Sequence, residues 1–388
     1  MSPHSTTAAL PPPSPDAAAH SERVQRHIKR EIVTAGGWIG FDRYMDLALY
    51  APGLGYYTAG AHKIGDSLAG GDFVTAPEIS PLFGRALAAQ VAQVLAQVAR
   101  GRPARILEFG AGTGHLARDL LETLAANDTR VDRYEIVEVS ADLRERQQRL
   151  LAQWPVAWLD APPRDFVGVI IANEVLDVLP VRLFIKRPDG MRERGVIASN
   201  GGFEFAEREA DAVLLRAARE IEADREPFTD GYVSEIGLAA RAWTGHLASA
   251  LAHGVALLID YGFPRREYYH PQRRMGTIMC HYRHRAHADP FWLPGLNDIT
   301  AHVDWSALAQ AAHASGLDVL GYAAQGRFLL NCGLLELLAA DHTPAASQAV
   351  QRLLSEAEMG ELFKVLAIGR GVSGPLMGFS RGDRLHTL

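Results

Sequence analysis

Cysteine, lysine and long apolar runs are scarce in this chain of 388 residues. Two cysteines, Cys280 and Cys332, are too few for a disulfide framework, so the sequence predicts a protein of a reducing compartment. No apolar run approaches the roughly 18 residues that a membrane span needs, so no bilayer crossing is predicted. Lys and Arg together number 39 against 45 Asp and Glu, and the net charge of -6 argues against non-specific nucleic-acid binding.

The first 20 residues have none of the features of a targeting segment. They are rich in proline and contain no lysine or arginine, whereas a secretory signal has a charged start and a mitochondrial transit peptide has scattered arginines. Residues 1–20 are therefore predicted to be a disordered tail. The predicted compartment is the cytoplasm. The preference for arginine over lysine, 35 to 4, is typical of GC-rich bacterial coding.

Short apolar runs alternate with helical periodicity through the middle of the chain. Because they are rich in Val and Ile and separated by helices, they indicate parallel strands buried on both faces. The fold class that follows is α/β, an open doubly wound sheet of the Rossmann type. The runs are Ala104–Phe109, Tyr134–Val139, Val167–Ala172 and Val255–Asp260.

Departures from this alternation divide the chain into regions. Turn signals at Pro188-Asp189-Gly190 and Asn200-Gly201-Gly202 predict an antiparallel insertion at about residues 182–236. The stretch 263–304 has little periodicity, and such a long loop is usually functional. The predicted regions are the tail (1–20), an N-terminal helical region (21–100), a core with its insertion (101–262), and a C-terminal substrate-binding loop with a helical and strand extension (263–388).

The first chemical signal is a glycine loop, Glu108-Phe109-Gly110-Ala111-Gly112-Thr113-Gly114, between a predicted strand and a helix. Its glycines let a ligand approach the backbone, and the helix start offers free N–H groups. A dinucleotide fingerprint requires Gly or Ala at position 115, where His115 stands, so NAD is disfavoured. The E-x-G-x-G-x-G form resembles the first motif of class I S-adenosylmethionine-dependent methyltransferases. The resemblance implies that Gly110, Gly112 and Gly114 bind this cofactor and that Glu108 serves its amino-acid end.

Two acids follow the next predicted strands. Glu138 ends the strand after the glycine loop, where a carboxylate accepts hydrogen bonds from both ribose hydroxyls of a nucleoside. Asp160 follows Val156–Leu159, where such proteins often contact the adenine amino group. Taken alone, Glu138 is equally well a solvated acid at a strand end. Together with the glycine loop, Glu138 is predicted to bind the cofactor.

A third polar loop follows the strand that ends at Ala172. Asn173 is predicted to contact the cofactor, because ligands of open α/β sheets bind at the carboxyl ends of the strands. Glu174 and Asp177 are three residues apart, so in a helical turn their carboxylates share one side. Paired carboxylates suit a guanidinium, which is planar, always charged and rich in donors. They are the predicted catalytic residues. The alternative is that both acids simply stabilise a helix N-terminus.

Four segments together resemble the protein family that includes MidA and the mitochondrial arginine methyltransferase that assists complex I assembly. The resemblance spans roughly residues 25 to 370. It implies a class I methyltransferase fold with added helical elements, and symmetric dimethylation of an arginine on a complex I subunit in mitochondrial members. The implied partner is a protein substrate; the oligomeric state is left open. The segments are Gly71–Gly84, the glycine loop, Ala172–Pro180 and Gly276–Asp304, the last preceded by Leu258–Gly262.

Several further residues are candidates for substrate contact: Glu235, Asp260, Tyr261 and His302. His302 and Asp304 read equally well as a general base pair or as a helix cap, and Glu235 equally well as a buried structural acid. The segment from Cys280 to His287 has metal-ligating side chains, but zinc sites usually include a distant second ligand pair, which is missing. No metal site is predicted.

Three functions remain open at this stage. The leading hypothesis is methylation of protein arginine. The second is a small-molecule O- or N-methyltransferase with His302 as the base. The third is a non-catalytic, cofactor-binding assembly factor that uses residues 263–304 as its partner surface. Intact Glu108, Glu174 and Asp177 argue against the third, and the acidic pair favours a cationic guanidinium over a neutral alcohol.

Overall fold

The computed structural model describes residues 10–60, 75–223, 225–341 and 343–388. No helix in these ranges is long and apolar enough to cross a membrane. The helices are α1 Pro15–Thr34, α2 Phe41–Tyr50, α3 Ala76–Ile79, α4 Pro81–Val98, α5 His115–Ala126, α6 Ala141–Leu150, α7 Ala212–Ala223, α8 Leu238–Ala250, α9 Arg265–Tyr268, α10 Trp305–Ala314, α11 Gln325–Asn331, α12 Leu334–Asp341 and α13 Pro344–Leu354. The strands are β1 Ile39–Gly40, β2 Arg105–Phe109, β3 Arg133–Val137, β4 Val156–Leu159, β5 Phe166–Asn173, β6 Arg182–Arg187, β7 Gly190–Ser199, β8 Gly202–Glu209, β9 Val233–Ile236, β10 Leu251–Phe263, β11 Met279–Tyr282, β12 Arg285–His287, β13 Asp298–Thr300, β14 Val303–Asp304, β15 Asp318–Ala324 and β16 Phe363–Arg370.

The central sheet has the strand order β15-β16-β10-β5-β2-β3-β4. The five strands from β10 to β4 are parallel, and β16 is antiparallel to both β10 and β15. The chain passes from β2 outward to β4 and then returns to β5 on the other side of β2. This reversal is the topological switch point at which ligands of open α/β sheets bind. The predicted α/β class and doubly wound sheet are confirmed.

Both faces of the sheet are covered by helices, which explains why its strands read as continuous apolar runs. Side chains alternate across the sheet, so neighbours such as Leu257 and Leu258 enter opposite cores. One core packs against α4, α5, α11, α12 and α13. The other packs against α8 and α10.

The predicted antiparallel insertion is present as β6 to β9, with α7 between β8 and β9. Its sheet takes up β1 from the N-terminal region, through pairing of Ile39 with Val196. The 263–304 stretch, predicted as a loop, holds α9 and a small sheet of β12, β11 and β13. Short strands of this kind have too few residues to show a period in sequence.

The structure corrects two of the predicted boundaries. Helix α1 begins at Pro15, inside the predicted tail, because Ser14 caps it and accepts a hydrogen bond from the amide of Ala17 at 3.2 Å. Residues 1–9 of that tail lie outside the described residues. The core also does not end at residue 262, since β15 and β16 of the predicted C-terminal extension complete the central sheet.

Candidate active site

A cavity of about 730 Å³ opens at the carboxyl ends of the central parallel strands. Phe109 of β2 pairs with Ala172 of β5, and Asn173 pairs with Ile259 of β10, so the loops after these strands start at one edge. The cavity lining combines these loops with residues of α3 and of the 273–302 segment. Its volume lies within the usual range for small-molecule sites, roughly 300–1,000 Å³.

Gly110 and Gly112 of the glycine loop line this cavity, whereas Gly114 is not among the lining residues, so its predicted cofactor contact is not supported. Gly110, Gly112 and Gly114 have φ angles of +60°, +54° and +88°, a conformation that costs residues with a side chain energy. A Cβ atom on Gly110 would lie 3.1 Å from Cγ2 of Val175. Gly114 is the N-cap of α5, and its amide donates to the carbonyl of Ala111 at 2.8 Å. The predicted strand, loop and helix are therefore confirmed.

Glu138 directly follows β3 and lines the cavity. Its Oε1 accepts a hydrogen bond from the amide of Ser140 and its Oε2 one from Nε2 of Gln147, both at 2.9 Å. The same amide group of Gln147 donates to the carbonyl of Gly112 at 2.8 Å, while its Oε1 accepts from the indole of Trp158 at 2.9 Å. Gln147 thus joins the glycine loop to Glu138. Sequence reasoning missed it, because a polar residue in a polar helix normally faces solvent.

Glu108 lies near the end of β2 and lines the cavity, although the residue is only 2% exposed. Its Oε2 accepts a hydrogen bond from the hydroxyl of Tyr134 at 2.7 Å. Burial raises the pKa of Glu108 to about 7. Asp160, in contrast, is not among the lining residues: its exposed carboxylate pairs with Arg144 at 3.1 Å, so contact with an adenine in the cavity is not supported.

Glu174, Asp177 and Asn173 meet in the cavity as the sequence predicted. Oε1 of Glu174 accepts hydrogen bonds from the amide of Ala76 and the side chain of Asn173, each at 3.3 Å. Oδ2 of Asp177 accepts one from the hydroxyl of Tyr261 at 2.5 Å. Oδ1 of Asp177 is buried, and no donor among the described residues reaches it.

The electrostatics of this pair favour a positively charged ligand. Burial, followed by the charge of Asp177, raises the pKa of Glu174 to about 8. Burial also raises the pKa of Asp177. A cation placed between the two carboxyl groups would stabilise their charged forms and relieve their mutual repulsion. Glu174 also has a φ angle of +53°, an uncommon conformation for a non-glycine residue and one that clusters at functional sites.

Asp260 holds this acidic loop in place through hydrogen bonds to backbone amides. It is not among the residues that line the cavity. Its Oδ2 accepts hydrogen bonds from the amides of Leu176 and Asp177 at 2.9 and 3.2 Å, and its Oδ1 one from the amide of Tyr261 at 2.9 Å. The predicted substrate contact is therefore corrected to a positioning role. Tyr261 does line the cavity. The end of a strand carries both residues, and only the packing decides which of them faces the ligand.

Glu235 is also buried behind the cavity lining. It accepts hydrogen bonds from the hydroxyl of Tyr268 at 2.9 Å and the amide of Thr277 at 2.7 Å. A Cβ atom on Gly276 would lie 2.1 Å from its Oε2, so Glu235 packs directly beneath the segment that lines the cavity. The structure thus supports the buried structural reading of Glu235 over direct substrate contact.

His302 lines the cavity, with its ring edge-to-face against Tyr261 at 5.1 Å. Burial, followed by the nearby positive charges of Arg273 and Lys364, lowers the pKa of His302 to about 4. Such an imidazole is neutral at pH 7 and a weak base. Asp304, its predicted partner, caps α10 by accepting from the amide of Ala307 at 3.0 Å.

Two further acids line the cavity without having been assigned from sequence, Glu78 of α3 and Asp298 of β13. Oδ1 of Asp298 accepts a hydrogen bond from the hydroxyl of Tyr57 at 2.9 Å, and its charge contributes to the raised pKa of Glu174. The sequence did contain a signal for these two acids, because both lie in segments that carry the family resemblance. Residues 71–74 of the first of those segments lie outside the described residues.

The metal reading of the segment around Cys280 gains no support from its surroundings. The Cys280 side chain is fully buried in the apolar cluster around α2, and this burial raises the pKa of its thiol. Across residues 10–60, 75–223, 225–341 and 343–388, no group of three or more His, Cys, Asp or Glu side chains is arranged to hold a metal ion.

A doubly wound sheet, a glycine loop of this form and carboxylates after the neighbouring strands define the class of an S-adenosylmethionine-dependent methyltransferase. A family model of S-adenosyl-L-methionine-dependent methyltransferases matches residues 86–323. The chain belongs to this family, as the sequence resemblance predicted. The cofactor is S-adenosylmethionine.

Full-length relatives and solved structures agree with this assignment. The mouse protein named protein arginine methyltransferase NDUFAF7, mitochondrial, is 30% identical, over 88% of this chain and 83% of its own. The zebrafish (Danio rerio) protein of the same name is 27% identical, over 90% of this chain and 87% of its own. A Burkholderia thailandensis protein crystallised with S-adenosyl-homocysteine is 52% identical, with a TM-score of 0.92 over 98% of this chain and all of its own.

Cofactor affinity should depend on Gln147, although this residue lies behind the cavity wall. Replacing Gln147 by Glu removes the shared donor and places a second carboxyl group against Glu138 and the carbonyl of Gly112. Calorimetric titration with S-adenosylhomocysteine at pH 8 should show about a ten- to hundredfold weaker affinity.

The matched control is Trp158→Phe, which removes only the hydrogen bond to Oε1 of Gln147 and leaves both donated bonds in place. We expect a loss of at most about fivefold there, since one neutral hydrogen bond contributes about 1 kcal/mol. Unchanged affinity in a folded Gln147→Glu protein would contradict the role of Gln147.

Proposed function

We propose that this methyltransferase modifies the guanidinium group of arginine in a protein substrate. The observation that carries the proposal is Asp177, whose Oδ1 is buried at the cavity without a donor from the described residues, beside the second carboxyl group of Glu174. Two adjacent carboxylates match the paired N–H donors of a guanidinium, which is planar and stays charged. The arginine methyltransferase names of the mouse and zebrafish relatives support the same substrate class.

The lining residues fit S-adenosylmethionine. The glycines of the loop have left-handed backbone conformations and no side chains, so a ligand can contact the main chain directly. A Cβ atom on Gly110 would already be close to the side chain of Val175. In our proposal, Glu138 accepts hydrogen bonds from the ribose hydroxyls, and Asn173 contacts the cofactor between β5 and the glycine loop. When bound, S-adenosylmethionine supplies an electrophilic methyl group.

The chain itself contributes orientation and charge. Tyr261 holds Oδ2 of Asp177 through its hydroxyl group, and Asp260 fixes the backbone amides of Leu176 and Asp177. With the loop held at these points, Oδ1 of Asp177 and the Glu174 carboxylate accept N–H bonds from the guanidinium. One substrate nitrogen is thereby aimed into the cavity, and alignment of this kind is a large part of the catalytic effect in a displacement reaction.

We further propose that the product is symmetric dimethylarginine and the substrate a subunit of respiratory complex I, as the family resemblance implies. The test is mass spectrometry of complex I subunits from cells with this gene, without it, and with the Glu174→Gln variant. We expect a symmetrically dimethylated arginine in the first sample, none in the second and a reduced level in the third. Identical methylation in all three would overturn the complex I proposal. The cytoplasm remains the predicted compartment.

The pH dependence offers a separate test of Glu174. In the free enzyme its pKa is raised to about 8, so below that pH the group is mostly protonated and cannot pair with a cation. We therefore expect kcat/KM for an arginine peptide to rise between pH 6 and 8 and to level off above pH 8. Arginine itself stays protonated throughout this range, so the substrate cannot cause the change.

Glu174→Gln should remove the part of this dependence that is centred near pH 8, because glutamine does not titrate. Glu108, with a pKa of about 7, still titrates in this range. A profile for the native enzyme that is flat from pH 6 to 9 would contradict the assignment. The small-molecule alternative, with His302 as the base, predicts instead a rise near pH 4. Because a pKa of about 4 makes His302 a weak base at pH 7, we favour the carboxylate pair over His302.

A further inference from the structure

Glu78 has no role in the function proposed so far, although it lines the cavity. It accepts a hydrogen bond from the hydroxyl of Thr113 in the glycine loop and lies 3.3 Å from Nδ1 of His115, the first residue of α5. Its side chain is 12% exposed. An acid from a separate chain segment is thus joined to the loop that binds the cofactor.

Glu78 lies at the end of the cavity that is next to the loop after β5. The amide of Ala76, at the start of the same helix, donates to Glu174 after β5, whereas Glu138 follows β3 on the other side of β2. A cofactor whose ribose is on Glu138 and whose methyl group faces Glu174 has its amino-acid end on the β5 side. Glu78, in the helix whose first amide reaches Glu174, is therefore on the amino-acid side of the cavity.

Two acids at the glycine loop are available for the ammonium group at that end, and they differ in charge. Glu108 accepts a hydrogen bond from Tyr134, and burial raises its pKa to about 7. For Glu78, burial acts against the charged form, but the hydrogen bonds from His115 and Thr113 outweigh it and lower the pKa. Glu78 is thus the carboxylate that is fully charged at neutral pH.

We propose that Glu78 binds the α-ammonium group of S-adenosylmethionine. A carboxylate has about four acceptor positions, so Glu78 can keep the hydrogen bond from Thr113 while it accepts one from the ligand. The inference rests on the proposed function, namely on the ribose role of Glu138 and on a methyl group that faces Glu174. Its test needs no methyl acceptor, so its failure is distinguishable from failure of the arginine proposal.

The experiment compares S-adenosylhomocysteine with an analogue in which hydrogen replaces the α-amino group, by calorimetric titration at pH 7.5. The native protein should bind S-adenosylhomocysteine about ten- to hundredfold more tightly than the analogue. In Glu78→Gln this preference should shrink to about threefold or less, while affinity for the analogue stays within about twofold of the native value. Glu108→Gln tests the competing acid, to which the family resemblance assigns the amino-acid end of the cofactor, and it should keep most of the native preference.

Three results would overturn the assignment. They are a full preference in Glu78→Gln, a preference lost only in Glu108→Gln, and an equal weakening of both ligands in Glu78→Gln, which would indicate a structural role. Where Glu78→Gln does not fold, Glu78→Asp retains the charge but shortens its reach, and we expect a reduced preference with unchanged affinity for the analogue. Failure of the native protein to bind S-adenosylhomocysteine at all would instead refute the cofactor.

Discussion

Glu174→Gln should lower kcat/KM for an arginine peptide about ten- to hundredfold while cofactor affinity stays within about twofold. Glutamine keeps the acceptor oxygen for the amide of Ala76 but has no charge to pair with a guanidinium. A charge-assisted hydrogen bond contributes roughly 1.5–3 kcal/mol, which corresponds to this range. The measurement is single-turnover methylation, with cofactor affinity determined by titration on the same preparation.

Two comparison variants test whether the loss of activity is specific to the acidic pair. Asp177→Asn should act in the same direction as Glu174→Gln, because Asp177 is the second member of the pair. Glu122→Gln removes a carboxylate from the exposed face of α5 and should leave the rate unchanged. Full activity in Glu174→Gln would remove the proposed guanidinium clamp. A loss of cofactor affinity in that variant would place Glu174 in the cofactor site instead.

Gly112→Val should weaken cofactor binding by about a hundredfold or more. Gly112 lines the cavity and has a φ angle of +54°, which a β-branched residue adopts only under strain of about 1–3 kcal/mol. We expect a valine at this position to hinder a ligand that contacts the backbone of the loop. We expect the variant to fold, because the residue lies in a loop at the edge of the sheet. Calorimetric titration with S-adenosylhomocysteine measures the affinity, and circular dichroism confirms the fold.

Gly101→Val provides the matched control for backbone strain. Gly101 has a similar φ angle of +68°, and a Cβ atom there would meet no other atom within 4 Å. It should lose stability comparable to Gly112→Val yet bind the cofactor like the native protein. Equal affinities in the two valine variants would contradict the assignment of the glycine loop.

The carboxyl end of the sheet shows where sequence reasoning succeeded and where it did not. Glu174 and Asp177 meet in the cavity as predicted, because both belong to one short loop after one strand. Asp260 and Glu235 were also candidates for substrate contact, yet both are buried behind the lining and hold backbone amides. An acid at a strand end can line the cavity or be buried behind its lining. Which of the two occurs depends on the segments that pack against it.

Packing between elements also explains why sequence reasoning missed three residues of the site. Gln147 faces the glycine loop because α6 packs its polar side inward at that point, against the ordinary behaviour of a polar helix. Asp298 reaches the cavity only because β13 pairs with β11, and Glu78 only because α3 lies beside α5. Each of these contacts joins separate elements of the fold, so hydrophobic periodicity does not report them. For Glu78 and Asp298, the family resemblance of the surrounding segments was the available signal.

The sequence by itself determined the α/β class, the glycine loop and the cofactor, because each depends on a strand, a turn and a helix that are consecutive in the chain. Tertiary structure alone decided that β15 and β16 complete the central sheet, since antiparallel pairing with β10 joins segments about a hundred residues apart. It also decided which acids face the ligand. Burial, which removes a carboxylate from water, is a property of the packed molecule.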